Sequence, residues 1–347
     1  MSSPALATVE RLRLDGPLHM GISLEMVGRA LRAADAGTHP DDDTLIVALN
    51  YRCNSRCRFC IIETEIDARL EATDRTVFDA VNRANAEARR GGRGFRRLTI
   101  SGAESTLIPD LPDLVRAAVQ EGGFERVRLQ TNARRLADPV FARTLFDAGA
   151  TEYFVSIHGP TAALDARITR APRSFGEMQR GLDNLTALGA RILSNSVISA
   201  DNAEALPALA DLLIARGVSE AHLWSFLHIG EAGQEDQLVA LDRLIPPLLE
   251  ALDRLEAAGV SRTVKWLPRC LLGRHGACLD NHQPQMLIRD EFQVRLSDGF
   301  RFDCVHRDRC RHFGHGCDGL HEGYVRAFGA AAELLRPDPP AQAPERP

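Results

Sequence analysis

Cysteines stand at positions 53, 57 and 60 in the stretch CNSRCRFC, and the next cysteine along the chain is Cys270. Three thiolates in one loop can hold three corners of a [4Fe-4S] cluster, leaving the fourth iron without a protein ligand and open to a substrate or cofactor. A three-thiolate zinc site is the competing use of the same side chains. Five further cysteines, at 270, 278, 304, 310 and 317, lie among six histidines in residues 264–325.

The thiols need a frame, and the composition allows one. The chain has 347 residues, 44% hydrophobic and 26% charged, enough for a large core. A formal net charge of -5 gives no broad basic field, so nucleic acid is not expected as a partner. The start, MSSPALATVERLRLDG, has no basic segment leading into an apolar run, and no run of about 18 apolar residues follows anywhere. A cytoplasmic protein with no membrane contact is therefore expected. In that reducing compartment, cysteines serve metals or redox chemistry before disulfides.

Strand-like runs alternate with helical patterns. The strands are expected at 44–51, 96–102, 126–132, 152–159, 191–199 and 221–228, and the helices at 74–90, 112–122, 139–150, 174–190 and 203–218. Asp74 and Ser174 suit helix N-caps, Gly122, Gly189 and Gly217 suit helix ends, and Pro207 suits a first turn. Repeated β-α units imply parallel strands with right-handed crossovers, and six of them make an α/β open or partial (β/α)6 barrel. Ligands gather at the C-terminal ends of such strands, where the first three cysteines fall. The expected domains are an N-terminal extension (1–43), the barrel (44–232), a connecting helix (233–263), a small Cys-rich region (264–330) and a disordered Pro-rich tail (331–347).

The C-x3-C-x2-C spacing, with Phe59 just before Cys60 and a strand just before the loop, resembles the signature of the radical S-adenosylmethionine (SAM) superfamily. The resemblance implies a cluster held by Cys53, Cys57 and Cys60. SAM would chelate its open iron through amino and carboxylate groups, and an electron from the reduced cluster would split SAM into methionine and a 5'-deoxyadenosyl radical that abstracts hydrogen from substrate. It also implies SAM contacts. Gly102 and Glu104 in SGAE match the family's Gly-Gly-Glu stretch, with Ala103 departing from it. Ser156 and, less closely, His158 match positions of polar contact to SAM. SVISA is similar to the family's Gly-x-Ile-x-Gly adenine contact, with Ser196 and Ala200 in place of glycines and Ile198 retained; Asn195 and Asn132 are further cofactor contacts. The plain alternatives are an ordinary turn at Gly102 and Asn132, and strand filler at Ser156 and Ile198. No residue is assigned as a catalytic acid or base.

The second cysteine group, with gaps of 7, 25, 5 and 6 residues, is similar to the SPASM and Twitch extensions that carry auxiliary clusters. Five cysteines are too few for two fully ligated cubanes. One auxiliary [4Fe-4S] cluster on Cys270, Cys304, Cys310 and Cys317 is expected, with Cys278 spare; a zinc knuckle using His306, His312 or His315 is the alternative. With only residues 1–43 before the barrel, a separate cobalamin-binding module is not expected. The resemblance implies a low-potential electron donor such as flavodoxin or ferredoxin, and maturation of a ribosomally made precursor peptide as the leading reaction. Dehydrogenation of a small alcohol or sugar is second. A non-catalytic Fe-S or zinc redox or binding protein is third, and Glu104 with the polar strand ends argues against it.

Overall fold

The computed structural model describes residues 41–61, 75–229, 234–288 and 290–339, together with Met26, Arg29, Ala30 and His39. Strands along the chain are β1 (Thr44–Asn50), β2 (Arg97–Gly102), β3 (Arg126–Thr131), β4 (Ala150–Ser156), β5 (Arg191–Ile198), β6 (Glu220–Ser225), β7 (Ser261–Lys265), β8 (Gln285–Leu287), β9 (Phe302–Asp303) and β10 (Leu320–His321). Helices are α1 (Arg75–Arg90), α2 (Leu111–Gln120), α3 (Pro139–Ala148), α4 (Ala162–Thr169), α5 (Ser174–Ala187), α6 (Leu206–Ala215), α7 (Leu241–Ala257), α8 (Asp290–Gly299) and α9 (Glu322–Phe328). The eight-stranded sheet has the order β7-β6-β5-β4-β3-β2-β1-β8, and β9 pairs with β10 separately.

The chain divides into two compact units. The first holds the described residues up to Ser156, Thr169–Leu193 and His282–Arg295; the second holds Ile157–Ile168, Ser194–Asn281 and the described residues from Leu296 onward.

In the first unit β1 pairs in parallel with β2 and β8, β2 with β3, and β3 with β4. Six of the seven β1 residues are buried, as an apolar run covered on both faces requires. On α1, Val77, Phe78, Val81, Ala84 and Ala88 recur at helical spacing and are all buried. Asp138 caps α3 by accepting from the Val140 amide at 2.9 Å, with Pro139 at the first helical position. Ser174, expected as a cap, is instead the first residue of α5, and its hydroxyl bonds that of Thr169 at 2.9 Å. Asp74 lies outside the described residues.

In the second unit β6 pairs in parallel with β7. The α6 and α7 helices bury leucines at 206, 209 and 213 and at 241, 244, 248, 252 and 255. The connecting helix expected at 233–263 becomes a 3-10 turn (Glu235–Gln237) followed by α7, which runs through Pro246 and Pro247. Of the Pro-rich tail, residues up to 339 are described: Leu335 is buried and Asp338 accepts from the Arg311 side chain at 2.9 Å. Residues 340–347 lie outside the described part.

In the eight-stranded sheet, two strands exceed the six that alternation alone gives. β7 (SRTVK) is polar at four of its five positions, and β8 (QML) is only 3 residues long, so neither has a strand-length apolar run.

Candidate functional site

The first site grows from the end of β1. Asn50, its last residue, is 5% exposed, and its side chain holds the turn after β2 on both sides. Its amide nitrogen donates to the Glu104 carbonyl at 2.8 Å, its oxygen accepts from the Glu104 amide at 3.4 Å, and its own carbonyl accepts from the Ala103 amide at 3.0 Å. Gly102 sits between, at φ +131, where a Cβ would collide with the Asn50 carbonyl oxygen. Close approach of two strand ends therefore fixes glycine at 102, whatever else binds there.

Glu104 is 1% exposed. Its Oε1 accepts from the Thr106 amide at 3.1 Å and from the hydroxyls of Thr106 and Thr131 at 2.5 Å each; its Oε2 accepts from the Asn132 amide at 2.7 Å. Burial pushes this carboxyl above its ordinary range, and the four donors pull part of the way back. One lone-pair direction of Oε2 remains unspent by these bonds.

The cysteine loop follows Asn50. Cys53, Cys57 and Cys60 are half-buried, as is Phe59. The Ser55 amide donates to Cys53 Sγ at 3.3 Å, the Cys60 amide to the Cys57 carbonyl at 3.0 Å, and the Arg56 amide to the Thr169 carbonyl at 2.9 Å. Asn132 Nδ2 lies 4.0 Å from Cys53 Sγ and donates to Asn54 Oδ1 at 2.6 Å. Burial, with the charge of Glu104 adding, pushes the Cys53 thiol up to about 12. Such a thiol becomes a thiolate at neutral pH only when a metal takes the proton's place.

The first unit thus brings together Cys53, Glu104 and Asn132, with Gly102 two residues from Glu104. Ser156, the last residue of β4, is half-exposed. Asn50, Thr106, Thr131 and Arg134 were not foreseen. A polar residue closing an apolar strand, as in TLIVALN, is the signal that marks Asn50.

The second unit carries the remaining expected contacts. Ser196 spends its hydroxyl on the Ile157 carbonyl at 2.6 Å, and Ile198 is fully buried. Asn195 is 5% exposed, and among the described residues its Oδ1 has no hydrogen-bond partner. His158 Nδ1 accepts from the Val197 amide at 3.3 Å, and burial lowers its pKa to about 4. Asn202, also unforeseen, ties the turn after β5 by donating to the His158 and Val197 carbonyls at 2.8 and 2.9 Å.

A cavity of about 410 Å³ in the same unit is lined by Cys270, Cys304, Cys310 and Cys317; Cys278 is not in its wall. The Arg269 amide donates to Cys317 Sγ and the His306 amide to Cys304 Sγ, each at 3.4 Å. Burial raises the thiols of both Cys270 and Cys317, and Cys310 adds to each. The imidazole of His312 pairs with Asp338 at 2.9 Å, and that of His306 with Arg309 at 2.9 Å.

The donor sets suit clusters better than a single ion. Among the described residues, no group of three His, Cys, Asp or Glu ligand atoms within 4.8 Å of one another includes a cysteine. Tetrahedral zinc with bonds of about 2.3 Å would draw its sulfurs to about 3.8 Å apart. Backbone amides directed at Cys53, Cys304 and Cys317 are what Fe-S ligation uses, and the cavity wall holds His306 and His312 beside its four thiols.

The model of the radical SAM superfamily matches residues 47–213, a span that contains the C-terminal end of β1, the cysteine loop and the Glu104 turn. Residues 47–213 belong to the radical SAM superfamily. The chain is 25% identical over 224 residues to a PqqA peptide cyclase of Methylobacterium nodulans, covering 63% of this chain and 57% of that protein. It is 30% identical over 168 residues to a probable GTP 3',8-cyclase of Methanopyrus kandleri, covering 48% of this chain and 51% of that one. The chain therefore spans only about half to three fifths of the length of these curated relatives. Among solved structures, SuiB of Streptococcus suis bound to S-adenosylmethionine superimposes with a TM-score of 0.51 over 70% of this chain and 54% of that chain, at 14% identity. That likeness shows the fold, an α/β partial barrel. Among the described residues no helix is long and apolar enough to cross a membrane.

Proposed function

We propose that this chain is a radical SAM enzyme that modifies a ribosomally made peptide. The observation that carries the chemistry is the thiol loop at the C-terminal end of β1, with Cys53 held between the Ser55 amide and Asn132, and Asn132 bonded in turn to Glu104. When bound, a reduced [4Fe-4S] cluster supplies the electron that splits SAM to a 5'-deoxyadenosyl radical. Cys53, Cys57 and Cys60 would hold it. Cys53 would give up its proton on metal binding, and the Ser55 amide, already directed at its sulfur, would donate to the thiolate.

Glu104 offers the unspent direction of Oε2 to an ammonium group, and the glycine at 102 leaves the backbone bare beside it. In the second unit, Asn195 Oδ1 is an unspent acceptor suited to a ribose hydroxyl, whereas Ser196 and Ile198 are spent on the sheet and the core. Cys270, Cys304, Cys310 and Cys317 would hold an auxiliary [4Fe-4S] cluster, with Cys278 outside the ligand set. An external low-potential donor, flavodoxin or ferredoxin in class, would supply the electron.

A peptide substrate is supported by the similarity to a protein named as a peptide cyclase. The test is anaerobic incubation of the reduced, reconstituted chain with SAM. Release of 5'-deoxyadenosine is expected, with a mass change in a precursor peptide encoded beside the gene. No 5'-deoxyadenosine at all would overturn the enzymatic reading. A mass change confined to a small alcohol, sugar or nucleotide would overturn the peptide.

A further inference from the structure

The turn after β3 has a conformation that its own residues do not favour. Ala133 lies at φ +60, a left-handed position for a residue with a Cβ. The strain persists only where surroundings over-determine it. Here they do, on two sides.

On one side stands α5. Glu177, Gly181 and Asn184 occupy a single face of the helix, spaced by four and three residues. Glu177 Oε2 accepts from Arg134 Nε at 2.7 Å, in an ion pair whose side chains are only 11% and 19% exposed. A Cβ at Gly181 would collide with the Ala133 carbonyl oxygen, so the glycine is what admits the turn. Asn184 Nδ2 donates to the Leu136 carbonyl at 2.8 Å.

On the other side stands the cysteine loop. The Arg134 guanidinium donates to the Asn54 carbonyl and, at 3.3 Å, to the Ser55 hydroxyl. The Arg134 amide donates to Asn132 Oδ1 at 3.1 Å, which turns the Asn132 amide nitrogen toward Asn54 and Cys53.

We propose that Arg134, tethered by Glu177, is a positioning residue that sets the cysteine loop in its metal-receiving shape before any metal arrives. The same guanidinium grips helix and loop, so the loop inherits the rigidity of α5. Its contribution to the site is preorganisation: Cys53 is presented between the Ser55 amide and Asn132 without a search through loop conformers. The role in metal capture rests on reading Cys53, Cys57 and Cys60 as ligands; the brace itself does not.

The experiment is hydrogen exchange on the full chain without metal, comparing wild type with Arg134→Ala, Arg134→Lys and Glu177→Gln, followed by anaerobic reconstitution. Amides of residues 53–57 should exchange about tenfold or more faster in Arg134→Ala, the factor carried by one lost charge-assisted hydrogen bond. Arg134→Lys should fall in between, since an ammonium reaches helix or loop but cannot fork to both. Amides of residues 304–317 serve as the internal reference and should not change. After reconstitution, Arg134→Ala should lose iron to a chelator about tenfold faster in the fraction whose electron paramagnetic resonance signal responds to SAM.

Should Arg134→Ala fail to fold by circular dichroism, Glu177→Gln, which keeps the guanidinium and loosens only its tether, carries the same expectation at smaller size. Equal exchange at 53–57 in wild type and in the folded variants would overturn the brace. A wild-type chain that binds no iron, with the exchange difference intact, would instead overturn the metal reading and leave the brace standing.

Discussion

Replacing Glu104 by Gln changes one oxygen into an amino group and nothing in shape, yet it should be among the costlier single substitutions in the first unit. The carboxylate accepts from four donors, two of them backbone amides: Thr106 on Oε1 and Asn132 on Oε2. A backbone amide cannot turn round. Whichever way the new side-chain amide is flipped, its NH2 faces one of those N–H groups, and a buried donor is left without an acceptor. An orphaned donor costs about 1–3 kcal/mol, and the bonds that remain lose the assistance of a full charge, so about 2–4 kcal/mol is expected in all. With a urea dependence of about 3 kcal/mol per molar for a chain of this size, the unfolding midpoint should drop by about 1 M. Urea titration under anaerobic conditions, without SAM, measures it. A Glu104→Gln midpoint equal to that of the wild type would refute the claim that Glu104 ties the ends of β2 and β3 to the turn before Arg134. Loss of SAM affinity with an unchanged midpoint would mean that the carboxylate serves the ligand alone.

Other outcomes follow from the second unit. His158 is buried at 4% exposure and its pKa falls from 6.5 to about 4, so the unfolded chain binds more protons between those values. Stability from this group is fully present above about pH 6.5 and drains as pH falls toward 4, by up to about 1.4 kcal/mol per pH unit; His158→Gln should remove that slope from a urea-against-pH series, and an unaltered slope would assign it elsewhere. Cys310→Ala should lower iron by about four per chain, the loss of one cubane, while SAM cleavage continues, whereas Cys278→Ala should leave the iron count unchanged. Iron analysis with a 5'-deoxyadenosine assay distinguishes these outcomes, and a matching drop in Cys278→Ala would move Cys278 into the ligand set.

What the sequence discloses is what local pattern encodes. The apolar run TLIVALN stands as β1, and thiols spaced for a cluster follow it directly. The SGAE turn lies at the end of β2, and four of the five late cysteines line one cavity. What stays hidden is set by long-range pairing. β8 is a strand because Leu45, Ile46 and Val47 lie beside it, not because QML is apolar over any length. Glu177 reads as one more solvated helix carboxylate until Arg134, 43 residues earlier, is brought against it. Ser196 matches a contact pattern by type, but only the fold reveals that the Ile157 carbonyl has already taken its hydroxyl. The tail at 331–339 looks featureless by composition, and is pinned through Asp338 by Arg311 and His312 of the second cysteine group.

The most direct measurement is electron paramagnetic resonance of the anaerobically reconstituted, dithionite-reduced chain with and without SAM. A cubane signal should appear, change shape when SAM is added, and vanish in Cys57→Ala, while the signal of the cluster on Cys270, Cys304, Cys310 and Cys317 stays as it was. A chain with no cubane signal, or with one indifferent to SAM, would contradict an open-iron cluster at the end of β1.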